Sequence, residues 1–171
     1  FETLTKKPII MEINFLAVFA AAASTLVVGF IWYNPNVFGG IWMRETGMTE
    51  ERARQANMFK MLAATFVYAL LISLLLMPMT IHQFGAYGMI GGNDAMAKPS
   101  YAAFMADYGT AYRTFKHGAL HGCMVGLFLA LPIIGTNALY EHRSFKYVLV
   151  TAGYWVVCMT IMGGIICGWT A

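Results

Sequence analysis

Between Ile13 and Tyr33 the chain carries no charged residue. A helix needs about 20 mainly apolar residues to cross a bilayer, because a rise of about 1.5 Å per residue must cover about 30 Å of hydrocarbon. This run is long enough, and three others resemble it: Met58 to Phe84, His117 to Tyr140 and Tyr147 to Trp169. The sequence therefore predicts an all-α membrane protein. Four transmembrane helices, about 13–33, 58–84, 117–140 and 147–169, form one antiparallel bundle within a single domain, 1–171. Charged residues make up 11% of the chain and hydrophobic ones 59%, whereas a soluble domain carries about 25% charged residues. So few charges cannot cover a water-facing surface, so the lipid bilayer is the expected partner. A net charge of +3 leaves no footprint for nucleic acid.

The start of the chain needs separate treatment. Lys6 and Lys7 ahead of an apolar run imitate a signal peptide. The run is too long for a signal-peptide core of about 7–15 residues, so it reads as a retained helix. Met11 suits a native start, which would make residues 1–10 an extension. Glu12 would place a carboxylate at the positive end of the first helix dipole. The three cysteines, Cys123, Cys158 and Cys167, form no C-x-x-C pair and lie in apolar runs. They read as small buried hydrophobes.

The stretch from Gly29 to Gly47 is the densest in special residues. Trp32, Tyr33, Phe38 and Trp42 are the aromatics expected at headgroup depth. Pro35 removes a backbone donor and disfavours a helical Asn34, so the first helix should end there. Gly39 and Gly40 would permit a tight reversal. Thr49 suits a helix cap, with Glu50 and Glu51 in its first turn. That polar helix should run past Asn57 directly into the second span. Pro78 near the end of that span is tolerable in a membrane helix. In the following loop Tyr101, Phe104, Tyr108, Tyr112 and Phe115 are spaced by three, four, four and three residues, which places them on one face of a helix at about 100–116. This predicts an amphipathic helix lying in the membrane interface; the alternative is an aromatic platform for a ligand. The loop from Glu141 to Lys146 is so short that spans three and four should be antiparallel neighbours.

Two blocks carry a family resemblance. One is G-x-x-W-Y-x-P-x-x-F-G-x-x-W-M, at Gly29, Trp32, Tyr33, Pro35, Phe38, Gly39, Trp42 and Met43. The other is N-x-L-Y-E-x-R-x-x-K, at Asn137, Leu139, Tyr140, Glu141, Arg143 and Lys146, continuing into Ala152 to Trp155 and Gly163–Gly164. In these the sequence resembles the bacterial membrane-protein family known as domain of unknown function 1761. The resemblance implies four transmembrane helices and no assigned activity. Both blocks belong to one membrane face, so Arg44 is expected to pair with Glu141 or Arg143. The Asn137 amide is expected to reach another span or the broken backbone near Pro35. Together they would form a structural latch, or a small polar site for a lipid headgroup or solute.

The other face holds the only residues with ligand chemistry. His117 and His121 are four apart and share a helix face, and His82 ends span two at a similar depth. Imidazoles with Cys123 or Cys167 nearby would suit zinc, copper or iron, or a haem. H-x-x-x-H without an intervening glutamate is not a zincin motif, and histidines at span ends often only meet water or headgroups. No catalytic residue is indicated. There is no nucleophile elbow, P-loop or dinucleotide-binding glycine set, and no acid lies in mid-membrane. The expected role is a structural or accessory component of a homo-oligomer or larger membrane complex in the bacterial inner membrane. The alternatives are a channel or small-solute carrier formed by oligomerisation, and a metal- or haem-binding protein using His82, His117 and His121. Ser24, Thr65, Ser73, Thr151 and Thr160 are too scattered to make a polar path. Loops 1 and 3 hold six positive residues against five elsewhere (Lys6, Lys7, Lys98, Arg113 and Lys116). If residues 1–10 are an extension the comparison becomes six to three, and the positive-inside rule then favours loops 1 and 3 in the cytoplasm and both termini outside.

Overall fold

The computed structural model describes residues 13–170; Lys6, Lys7, Met11 and Glu12 lie outside them. The described helices are α1 (Phe15–Trp32), α2 (Gly40–Thr46), α3 (Glu50–Gln55), α4 (Met58–Thr80), α5 (Gln83–Met89), α6 (Pro99–Tyr108), α7 (Phe115–Val125), α8 (Leu131–Tyr140) and α9 (Phe145–Gly168). Wide π-helical turns at Pro35–Gly39 and Gly126–Ala130 lead into α2 and α8. Four helical segments are long and apolar enough to cross a membrane: Phe15–Trp32, Met58–Thr80, Phe115–Tyr140 and Phe145–Gly168. The chain is a multi-pass membrane protein.

The helix breakers in the sequence act in different ways. Pro132 leaves span three continuous. The π turn just before it widens the helix where the proline ring would strike the preceding turn. Span two ends at Thr80, not Phe84: Ile81 is extended (φ −111°, ψ 100°) and a separate helix, α5, begins after His82. Gly39 and Gly40 make no reversal. Both are right-handed helical and carry the chain from Pro35 into α2. Gly39 is required for space, since a Cβ there would sit 2.1 Å from the Tyr33 carbonyl oxygen. The reversal falls at Gly47, with φ 67°. Thr49 caps α3, accepting from Arg52 N–H at 3.2 Å. That helix does not merge with α4, because Ala56 is extended and Asn57 caps a fresh start by accepting from Lys60 N–H at 3.0 Å.

The aromatic stripe is also interrupted. α6 stops at Tyr108, so only Tyr101, Phe104 and Tyr108 belong to it. Tyr112 adopts φ 62° in a turn, and Thr114 is extended and caps α7. Phe115 opens span three. The three-and-four spacing runs through a turn that periodicity alone does not reveal.

α9 is the hub, packing against α1, α4, α7 and α8. Its Tyr154, Cys158, Met162, Ile166 and Cys167 join Val18 and Ala21 of α1 and Leu76 and Met77 of α4 in the core. The tightest seam lies between spans three and four. Gly118 faces Gly163 and Cys167, Gly122 faces Met159, Gly126 faces Val156 and Gly135 faces Val148. Small residues let two backbones touch, which matters in lipid, where burial of apolar surface gives no drive to associate. Hydroxyls in the spans are mostly closed on their own helices: Ser24 donates to Ala21 O at 2.6 Å, Thr25 to Ala22 O at 2.7 Å and Thr160 to Val156 O at 2.7 Å. The outer faces stay apolar and uncovered, with Phe30 81% and Phe59 82% exposed, as lipid contact requires.

Candidate metal centre

His82 lies at the break after α4, and His117 and His121 lie in the first two turns of α7. The placement follows from how three elements are tied together at this end of the bundle. Thr114 caps α7 by accepting from His117 N–H at 3.2 Å. The Cys167 thiol of α9 lies 3.3 Å from the Thr80 carbonyl at the end of α4 and 3.4 Å from the Tyr112 carbonyl just before α7. Arg113 Nε donates to Cys167 O at 3.0 Å. Gln83, next to His82, donates both amide hydrogens, to Tyr108 O at 2.8 Å and Ala111 O at 2.9 Å. The last turn of α9 and the first of α5 thus hold the end of span two against the start of span three.

The result is a convergence of three imidazoles. One nitrogen from each ring lies within 4.8 Å of the others, and His82 Nε2 is 3.0 Å from His117 Nε2. A tetrahedral zinc bound at about 2.0–2.1 Å holds its nitrogens about 3.4 Å apart, so the observed spacing fits one ion with small ring rotations. Without a cation, the His82–His117 contact is satisfied by one neutral ring donating to the other. With a cation, both lone pairs point at the metal, which requires the proton on Nδ1 in each. Three neutral nitrogen donors suit zinc, copper, nickel or iron. Ring centroids are 4.5 to 5.0 Å apart, too close for any two rings to face each other across a haem plane. The cysteines do not join: the Cys167 thiol is committed to backbone carbonyls, and Cys123 is outside the cluster. Tyr112 packs beside the site, its ring 5.2 Å from His117 and 6.0 Å from His82.

The collar lies at the other end. Trp32 packs on Phe38 at 4.4 Å and Tyr33 on Trp42 at 5.7 Å. Its partner is α9. The Trp32 indole donates to Val150 O at 3.0 Å, Tyr33 packs on Tyr154 at 5.2 Å, and Gly29 leaves room for the Tyr154 ring, whose hydroxyl donates to Thr25 O at 3.1 Å.

The expected latch is not formed as drawn. Glu141 pairs with Arg143 at 3.6 Å, within its own turn, and Arg143 also stacks over Tyr147 at 5.6 Å. With that carboxylate neutralised locally, Arg44 makes no ion pair among the described residues. Asn137 is on the exposed side of α8, whose inward residue is Ala138, and its amide reaches no other span. The bond that does join collar and loop 3 is Ser144 hydroxyl to Glu45 carboxylate.

The seam glycines Gly118, Gly122 and Gly126 lie outside both family blocks. They recur every four residues and were visible as a seam. Gln83 and Arg113 gave no signal, because their partners are backbone carbonyls far along the chain.

No curated protein and no solved structure matches this chain. Residues 16–167 match a family described as "Protein of unknown function (DUF1761)". Because that match covers most of the chain, including the collar, all four spans and the three histidines, the protein belongs to the DUF1761 family.

Proposed function

We propose that this protein binds a single transition-metal ion through His82, His117 and His121 at one end of an antiparallel four-helix bundle in a bacterial inner membrane. The observation that carries the reading is the convergence of one ring nitrogen from each histidine within 4.8 Å. Three protein nitrogens leave a fourth coordination position open, the pattern of zinc sites that bind or activate an exogenous ligand. Loops 1 and 3 carry Arg44, Arg52, Arg54, Lys60, Arg143 and Lys146, against Lys98, Arg113 and Lys116 at the other end among the described residues and Lys6 and Lys7 outside them. The positive-inside rule then puts the metal centre on the outer face. α6, with Phe104 and Tyr108 exposed, lies along the interface beside it.

The test is titration of purified protein with Zn²⁺. One ion should bind per chain, with His117→Ala and His121→Ala each weakening it by at least about tenfold. His142→Ala, at the opposite end, should leave binding unchanged. Equal zinc binding by wild type and both cluster variants would end the proposal.

A further inference from the structure

A cavity of about 380 Å³ opens between α5 and α6, against the metal cluster. Gln83 and Ala86 of α5, Phe104 and Tyr108 of α6, and His82 and Tyr112 line it. Its size falls in the small-molecule range of about 300–1,000 Å³. The walls are almost wholly apolar. The Gln83 amide nitrogen, on these walls, is committed to Tyr108 O and Ala111 O, while its buried Oε1 accepts no bond among the described residues. His82 belongs both to the cavity wall and to the cluster, so a molecule lying in the cavity is within reach of the metal.

Two further observations bear on what that molecule is. A divalent ion held by three neutral imidazoles keeps its full charge, and no carboxylate belongs to the cluster. The open position therefore favours an anionic group. Tyr112 is a bulky residue at φ 62°, a strained conformation that persists only where its surroundings impose it. Here the Gln83 and Cys167 contacts to the 108–112 backbone impose it. The strained residue lines the cavity and packs beside His82 and His117.

We infer that this cavity binds a medium-chain carboxylate, its apolar chain against Ala86, Phe104 and Tyr108 and its carboxylate on the open position of the metal. The inference rests on the metal reading above. The test uses Co²⁺-loaded protein in nanodiscs, reading the visible absorption bands of the ion. Octanoate should shift the bands saturably and at least about tenfold more tightly than acetate, since acetate offers the head without the buried chain. Octanol should leave them unmoved. Ala86→Trp fills the cavity without touching a ligand; it should keep the cobalt bands and bring octanoate to within about twofold of acetate. Phe104→Ala removes one wall and should weaken octanoate but not acetate. Absence of cobalt bands in the wild type overturns the metal centre and this inference together. Normal bands on which octanoate acts no more tightly than acetate overturn this inference alone.

Discussion

Gly122→Ala is the sharpest test of how the third span is seated. A Cβ at this position would lie 1.9 Å from Met159 O, 2.7 Å from Met159 C and 3.2 Å from Thr160 Cα. Contacts under 3.0 Å do not occur for real Cβ atoms, so the two helices must separate by roughly 1.1 Å at this level. The obstacle is backbone, and no rotamer change relieves it. Alanine gains about 1 kcal/mol of helix propensity over glycine. Overpacking typically costs about 1–3 kcal/mol, and a backbone clash belongs at the upper end. The net expectation is a loss of about 1–2 kcal/mol, a five- to thirtyfold shift toward the unfolded state. Reversible unfolding in mixed micelles, followed by tryptophan fluorescence, would measure it. Gly85→Ala is the matched control: Gly85 lies in α5 with nothing within 4 Å of an added Cβ, so it should gain up to about 1 kcal/mol. Because His121 precedes Gly122, the same displacement should also weaken zinc. A Gly122→Ala protein as stable as the wild type would refute the glycine-seam account.

Two other substitutions probe the ties at each end of the bundle. Gln83→Ala removes two hydrogen bonds to buried-side carbonyls and should cost about 1–3 kcal/mol, with amide exchange accelerating over residues 109–114 and little change near the collar. Trp32→Phe keeps the ring against Phe38 but loses the donor to Val150 O, and should cost about 1 kcal/mol in the same unfolding measurement.

The spans were legible because hydropathy over some twenty residues has few competing explanations. Their ends were less so, since Pro35, Pro78 and Pro132 were each absorbed differently by neighbouring backbone. The aromatic stripe misled because Tyr112 and Phe115 keep a helical spacing across a turn; the positive φ at Tyr112 is imposed by Gln83 and Cys167, from distant parts of the chain. The His117–His121 pair was readable from spacing alone, and His82 was placed only at a similar depth. That its ring meets the other two depends on the break at Ile81 and on Cys167 binding two segments together, which no local pattern encodes. The Arg44–Glu141 pair failed for a simpler reason: Arg143 is nearer.

The central claim is that three imidazoles hold one metal ion. X-ray absorption at the zinc edge of equimolar zinc-loaded protein tests it most directly. The account predicts a first shell of nitrogen and oxygen at about 2.0–2.1 Å with the outer-shell scattering of three imidazole rings, two after His82→Ala. A sulfur shell at about 2.3 Å, or a wild-type spectrum that His82→Ala leaves unchanged, would contradict it.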